Sequence, residues 1–359
     1  MKSISLCMIV KNEEENLAKC MESVQRIVDE IIIVDTGSTD ATKEIAAKYT
    51  SNIYDFKWCN DFSKARNTAF SKATKDYILW LDADDVLRPE DQKKMLQLKE
   101  ELDETIDVVM LKYNIAFDKN GNPTFSYYRE RLVKRSLNIQ WREPVHEYLP
   151  LVGNVVKKDI AVTHEKTHSS GDRNINIYKE KIRKGEKLST RGVYYYAKEL
   201  YEHNRIKEAI KYFEGFLKKE DGWAEDKISA CYYLSICYKK MEELEKQRNT
   251  LIKSFEYDIP RAEICCQLGA YYFQKKEYKK AIYWYTVAAT LEFPEDNWGF
   301  RQIDCWTFLP NIQLCVCYDR IGDIEKAIKY NEIAAKFKPE SESVLYNRTY
   351  FNNRQRKDI

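Results

Sequence analysis

Residues 77–85 read Tyr77-Ile78-Leu79-Trp80-Leu81-Asp82-Ala83-Asp84-Asp85. Five apolar residues in a row, followed at once by carboxylates, describe a short strand buried on both faces. Asp82 and Asp84 stand two apart at its rigid end. Hard oxygen ligands at that spacing suit Mg²⁺ or Mn²⁺, particularly where a diphosphate supplies the remaining ligands. An acidic loop is otherwise a solvated turn, so the neighbouring sequence decides between the two readings.

Working outward, Ile4–Val10 and Glu30–Val34 are two more apolar, β-rich runs, and Val108–Leu111 is a fourth. Helical spacing separates them, over Glu14–Ile27 and Thr39–Tyr49. Unbroken strands alternating with helices predict an α/β domain with a mostly parallel sheet covered on both faces. Such sheets bind ligands at the carboxyl ends of their strands. The polar clusters at 11–13, 35–40 and 82–85 fall there. In Val34-Asp35-Thr36-Gly37-Ser38-Thr39-Asp40, the glycine permits a sharp turn and Asp35 can accept hydrogen bonds from a base or ribose. Ser38 or Asp40 can equally cap the following helix.

From about residue 175 the strand pattern stops and helical periodicity takes over. Three phrases recur: EAIKYFEGF around Ala209, KAIYWYTVA around Ala281 and KAIKYNEIA around Ala327. A weaker unit, Leu234–Ile259, fits between them with Gln247 in the alanine position. Small residues where paired helices cross, and large ones filling the gaps, are the logic of a helical repeat array. This half resembles tetratricopeptide repeats. The expected division is 1–170 for the α/β domain, 171–190 for a linker helix, 191–345 for the all-α repeats and 346–359 for a basic tail.

Composition narrows the function classes. The chain has 359 residues, enough for roughly two domains, and 44% are apolar, enough for real cores. Lys+Arg 59 against Asp+Glu 57 leaves +2, no electrostatic footprint for nucleic acid. The 10 cysteines form no paired CxxC motifs and mostly sit in apolar, helix-like runs. They read as small buried thiols in a reducing compartment. The run Ile4–Val10 is too short for a signal segment or a membrane span. The expectation is a cytoplasmic protein with no transmembrane segment.

The phrases IVKNEEENL, IIIVDTGSTDAT, DFSKARNTAF and YILWLDADD occur in this order within the first 85 residues. Together they resemble the GT-A fold glycosyltransferases of family 2, which are Rossmann-like and use nucleotide sugars with inversion. Thr36 stands where that family usually has a second Asp. The resemblance implies that Asn12, Glu13 and Asp35 line a uridine site, that Arg66 and Asn67 contact the nucleotide, and that Asp82 and Asp84 bracket the metal and diphosphate. Further on, RERLVKR (129–135), Trp141 and Val145-His146-Glu147 resemble a subgroup with helical repeats behind the catalytic domain. That subgroup includes sublancin-type peptide S-glycosyltransferases and core-saccharide transferases. It implies Glu147 as general base, His146 as its orienting neighbour or a sugar contact, and His164 as third metal ligand, with His168 the competing choice. Arg129, Arg131 and Arg135 read as an exposed basic strand face, or one of them meets the diphosphate.

The implied activity is transfer from a UDP-sugar, with Mg²⁺ or Mn²⁺, to a Cys, Ser or Thr side chain of a peptide or protein. A saccharide or lipid-linked glycan acceptor is the alternative, and a non-catalytic repeat scaffold is a third reading. The repeat surface is expected to bind the polypeptide acceptor or a second copy of the chain.

Overall fold

The computed structural model of the chain describes residues 1–117, 121, 123–165, 171–292 and 302–355. His168 lies outside the described residues. The chain forms two compact units, Met1–Gly192 and Val193–Ile359.

In the first unit the strands are β1 (Ile4–Val10), β2 (Glu30–Asp35), β3 (Ile53–Asp55), β4 (Tyr77–Trp80), β5 (Asp85–Leu87), β6 (Val108–Phe117), β7 (Pro123–Lys134) and β8 (Val155–His164). Between them lie α1 (Leu17–Val24), α2 (Thr42–Ala46), α3 (Phe62–Lys72) and α4 (Pro89–Glu101), and α5 (Arg173–Arg183) follows. One sheet holds all eight strands in the order β3-β2-β1-β4-β7-β6-β8-β5. The sheet is mixed. The β3-β2-β1-β4 half is parallel, whereas β7 runs antiparallel to β4 and β6, and β5 antiparallel to β8.

The parallel half follows from its sequence. All four residues of β4 are buried, and β1 has one residue less than fully buried. Helices on both faces leave no strand side for polar residues. Leu6, Met8, Leu17, Met21, Leu79, Leu98, Leu111 and Val162 share one apolar core. The chain leaves β1 toward β2 on one side, while β4 takes its other side, which makes the β1/β4 boundary the switch point where such sheets bind ligands. Helix ends are set locally. Asp61 caps α3 by accepting from the Lys64 amide at 3.2 Å, and Pro89 opens α4 with Glu90 and Asp91 in its first turn.

The second unit begins inside α6 (Thr190–Glu202) and continues through α7 (Ile206–Leu217), α8 (Ala224–Lys240), α9 (Leu244–Lys253), α10 (Ala262–Gln274), α11 (Tyr278–Thr290), α12 (Phe308–Arg320), α13 (Ile324–Phe337) and α14 (Glu342–Gln355). It is an all-α tetratricopeptide-like array. Ala209, Ala281 and Ala327 are fully buried at their expected crossing points, and Gln247 is 1% exposed at the fourth. The turns share one device. Asn204, Glu242, Lys276 and Gly322 all have positive φ, and each lies five residues before a register position (204 to 209, 242 to 247, 276 to 281, 322 to 327). The next amide then bonds five residues back: Arg205 to Leu200, Glu243 to Tyr238, Glu277 to Tyr272 and Asp323 to Tyr318, at 2.8–3.0 Å. This is the Schellman ending that reverses the chain after each first helix. At Gly269 a Cβ would sit 2.7 Å from the Tyr285 ring, so glycine there lets α10 and α11 meet closely. No helix among the described residues is long and apolar enough to cross a membrane.

Candidate active site

The site gathers at the carboxyl ends of β1, β2 and β4. Register pairs Val10 with Asp35, so the loops after β1 and β2 emerge side by side. They are knitted together. The Asn12 amide donates to Ser38 Oγ at 3.0 Å, the Thr39 amide to Asn12 Oδ1 at 2.8 Å, and the Glu13 amide to Thr42 Oγ1 at 2.7 Å. Asn12 takes a left-handed φ of 54°, a conformation that asparagine tolerates better than most residues. Asp35 Oδ2 accepts from the Gly37 and Ser38 amides, each at 3.0 Å. Its Oδ1 is buried and has no hydrogen-bond partner among the described residues. A buried carboxylate oxygen left unpaired is costly, and a donor on a bound ligand would satisfy it. Thr36 uses its hydroxyl to close the end of β1, donating to the Val10 carbonyl at 3.0 Å.

The second half of the site comes from the turn after β4. Asp85 opens β5, whose antiparallel register sets it directly opposite His164 at the end of β8. His164 Nδ1 lies 3.4 Å from Asp84 Oδ1 and 3.3 Å from Asp85 Oδ1. Asp84, Asp85 and His164 each place a ligand atom within 4.8 Å of the others. Two carboxylates and an imidazole fit Mg²⁺ or Mn²⁺ by their chemistry. Asp84 and His164 are thus brought together, whereas the Asp82 side chain is not one of the three grouped ligands. Its Oδ1 accepts from Arg66 Nη2 at 2.7 Å. Asp85, absent from the expected ligand set, joins the cluster through β-pairing across 79 residues of sequence.

Electrostatics set the state of these groups. Burial works against the Asp82 carboxylate, but the charges of Arg66, Arg131 and Arg129 and the Arg66 hydrogen bond outweigh it and hold the pKa at about 2. Burial also works against the His164 imidazolium, but hydrogen bonds to Asp84 and Asp85 raise it to about 10. Asp85 is fully buried. Its Oδ2 accepts from Arg131 Nη1 at 2.8 Å and from the Asp82 amide at 3.0 Å. Arg131 is itself fully buried, stacked 3.9 Å from the Trp80 ring centroid and 4.3 Å from that of Tyr113. It therefore stands inside, not on an exposed basic strand face. Arg135 lies at the surface, donating through Nε to the Lys75 carbonyl at 2.6 Å. Arg129 lies 4.9 Å from the Trp80 centroid and pairs with Glu130 at 3.3 Å.

Glu147 and His146 sit in a loop closed by reciprocal amide–carbonyl bonds between Arg142 and Tyr148, at 3.0 and 3.1 Å. Glu143 and His146 have φ of 74° and 55°. Left-handed backbone at such residues costs on the order of 1–3 kcal/mol each and persists only where surroundings enforce it. Glu147 is mostly buried, and its Oε1 accepts from Arg66 Nε at 2.8 Å. Arg66 thus joins Glu147 to Asp82, with its guanidinium 4.9 Å from the centroids of both Trp80 and Trp141. Asn67, next along α3, bonds the Trp141 backbone in both directions, donating to its carbonyl at 3.0 Å and accepting from its amide at 2.8 Å.

Residues 5–158 match the model of Glycosyl transferase family 2. A TPR repeat-containing protein of Synechococcus elongatus is 38% identical over 148 residues, covering 41% of this chain and 35% of that one. The SPbeta prophage-derived glycosyltransferase SunS of Bacillus subtilis is 28% identical over 227 residues, covering 59% of this chain and 52% of its own length. A glycosyltransferase of Rickettsia typhi is 32% identical over 114 residues, 32% of this chain and 35% of that one. The matches thus span about half or less of the length of these relatives. The stretch 5–158, which carries the strand-end carboxylates and the loop of Glu147, is the part of the chain that resembles family 2 glycosyltransferases.

Proposed function

We propose that the chain is an inverting, metal-dependent glycosyltransferase that moves a sugar from a UDP-sugar to a peptide or protein side chain. The observation that carries this reading is the Asp84–Asp85–His164 cluster, at the same strand-end side of the sheet as a buried Asp35 oxygen with no hydrogen-bond partner among the described residues. Asn12, Glu13 and Asp35 form the uridine side. Asp84 and His164 hold the cation, with Asp85 behind them and Asp82 on the diphosphate side. A bound divalent cation supplies charge neutralisation for the diphosphate as it departs.

The chain's own residues do the rest. The acceptor attacks the anomeric carbon from the face opposite the diphosphate, forming one bond as the bond to the UDP oxygen breaks. Glu147 takes the acceptor proton. Arg66 fixes the direction of that carboxylate through Oε1. His146, one residue away in the same closed loop, orients Glu147 or contacts the sugar. The polypeptide acceptor is supported by the repeat array, since such arrays bind extended peptides or other subunits. The similarity to the glycosyltransferase SunS supports sugar transfer as the reaction. Dimerisation through the array is the other use of that surface.

A panel of UDP-sugars incubated with the full chain and Mn²⁺ tests the reading. At least one sugar is expected to release UDP slowly, with water as acceptor, and EDTA is expected to stop it. Release of no UDP from any of the sugars would favour a scaffold without catalysis.

A further inference from the structure

The loop of residues 141–148 is held along its whole length by polar contacts rather than by packing alone. Asn67 grips Trp141 at both its amide and its carbonyl. The Phe62 amide, at the start of the same helix α3, donates to the Pro144 carbonyl at 2.9 Å. Arg66 holds the Glu147 side chain. Ser189 Oγ donates to Glu143 Oε1 at 2.6 Å, and the Tyr178 hydroxyl to the Val145 carbonyl at 3.3 Å. Three of these five anchors come from one helix, α3, which also carries the link to Asp82.

The chemistry of the two α3 side chains is unusual for ligand contacts. Each end of the Asn67 amide, its NH₂ and its oxygen, makes a hydrogen bond to the Trp141 backbone, which fixes the direction of the side chain. The Arg66 guanidinium is 8% exposed at the side chain, paired with a carboxylate at each of two nitrogens and flanked by two indole rings. A planar, bidentate, stacked cation is the least replaceable way to hold two carboxylates at a fixed separation. The loop these groups hold is strained, with left-handed φ at Glu143 and His146, so it needs outside contacts to keep its shape.

We propose that Arg66 and Asn67 are positioning residues that hold the loop of His146 and Glu147 against the donor-side Asp82, in place of direct nucleotide contacts. The proposal rests on the reading of Glu147 as the base. Asn67 sets where the loop starts, and Arg66 sets the distance from the base to the diphosphate side. A small misplacement of a base costs turnover, while nucleotide affinity depends on other groups.

The experiment compares full-length wild type, Asn67→Ala and Arg66→Lys in three measurements: calorimetric UDP affinity with Mn²⁺, steady-state UDP-sugar hydrolysis, and the rate of tryptic cleavage after the exposed Arg142. Both variants are expected to keep UDP affinity and donor KM within about twofold and to lose about 10–100-fold in kcat, the scale of a misplaced catalytic group. Cleavage after Arg142 should accelerate in Asn67→Ala. The inference is overturned if UDP affinity falls tenfold or more while kcat at saturating donor and cleavage stay at the wild-type values, the signature of a nucleotide contact. If Asn67→Ala fails to fold, Arg66→Lys decides, because a single ammonium keeps the charge but cannot span both carboxylates. Wild type that hydrolyses no UDP-sugar would remove the proposed function instead. UDP affinity and tryptic cleavage would still decide the role of the two residues.

Discussion

Glu147→Gln is expected to slow transfer to a water or alcohol acceptor by about 10²–10⁴-fold, the usual worth of a general base, with UDP affinity little changed. The amide keeps the size of the side chain and can still accept from Arg66 Nε, so the loop stays in place. What it loses is the capacity to take a proton. The effect belongs in kcat, because donor binding is assigned to Asn12, Glu13, Asp35 and the metal cluster. A thiol acceptor should be less sensitive, since a thiol with pKa near ~8.5 is already partly ionised at neutral pH. The ratio of the two losses therefore reports which acceptor chemistry the site is built for. Near-normal turnover of the Gln variant on an alcohol would remove Glu147 as the base.

Arg131→Met is expected to lower the melting temperature of the sheet-bearing unit by about 6–20 °C, from a loss of about 3–5 kcal/mol. The reason is Asp85. It is fully buried, and its Oδ2 relies on Arg131 Nη1 at 2.8 Å. Methionine fills the space between Trp80 and Tyr113 but leaves Asp85 Oδ2 without its guanidinium, with only His164, 3.3 Å from the other oxygen, as a cationic neighbour. Breaking such a pair costs more than replacing both members. The double variant Arg131→Met, Asp85→Asn should therefore recover part of the loss in scanning calorimetry. A shift below about 2 °C for the single variant, less than ~1 kcal/mol in a unit of this size, would show that the pair does not hold the turn after β4.

Sequence reading reached the parts of the fold whose physics is local. β1, β2 and β4 are legible because burial on both faces leaves runs such as Ile31–Val34 with no polar residue. The repeat register is legible because Ala209, Ala281 and Ala327 are fully buried where helices cross closely, with Gln247 the one large side chain in the register. The antiparallel half of the sheet is much less legible. β7 contains Arg129, Glu130 and Arg131, and β8 contains Lys157, Lys158 and Asp159, so neither reads as a buried strand. The charges on β7 are inside because their partners, Trp80, Asp85 and the Glu147 loop, lie far away in sequence.

The site divides the same way. Asp35, Asp82 and Asp84 are marked by the strand ends that present them. His164 stands out as a histidine closing an apolar stretch. Asp85 does not stand out from its acidic neighbours, since its place in the cluster comes from the pairing of β5 with β8. The roles of Arg66 and Asn67 depend on a loop some 80 residues later in the chain, beyond what spacing can express.

Titration calorimetry of UDP into the full chain, with Mn²⁺ and then with EDTA, tests the central claim most directly. Wild type is expected to bind UDP with Mn²⁺ and to lose at least about tenfold in affinity in EDTA, the worth of ~1.4 kcal/mol of coordination. Asp84→Asn is expected to bind UDP with Mn²⁺ only as weakly as wild type does in EDTA. Equal affinity in Mn²⁺ and EDTA, or no UDP binding in either, would contradict a metal-dependent nucleotide-sugar site at the Asp84–Asp85–His164 cluster.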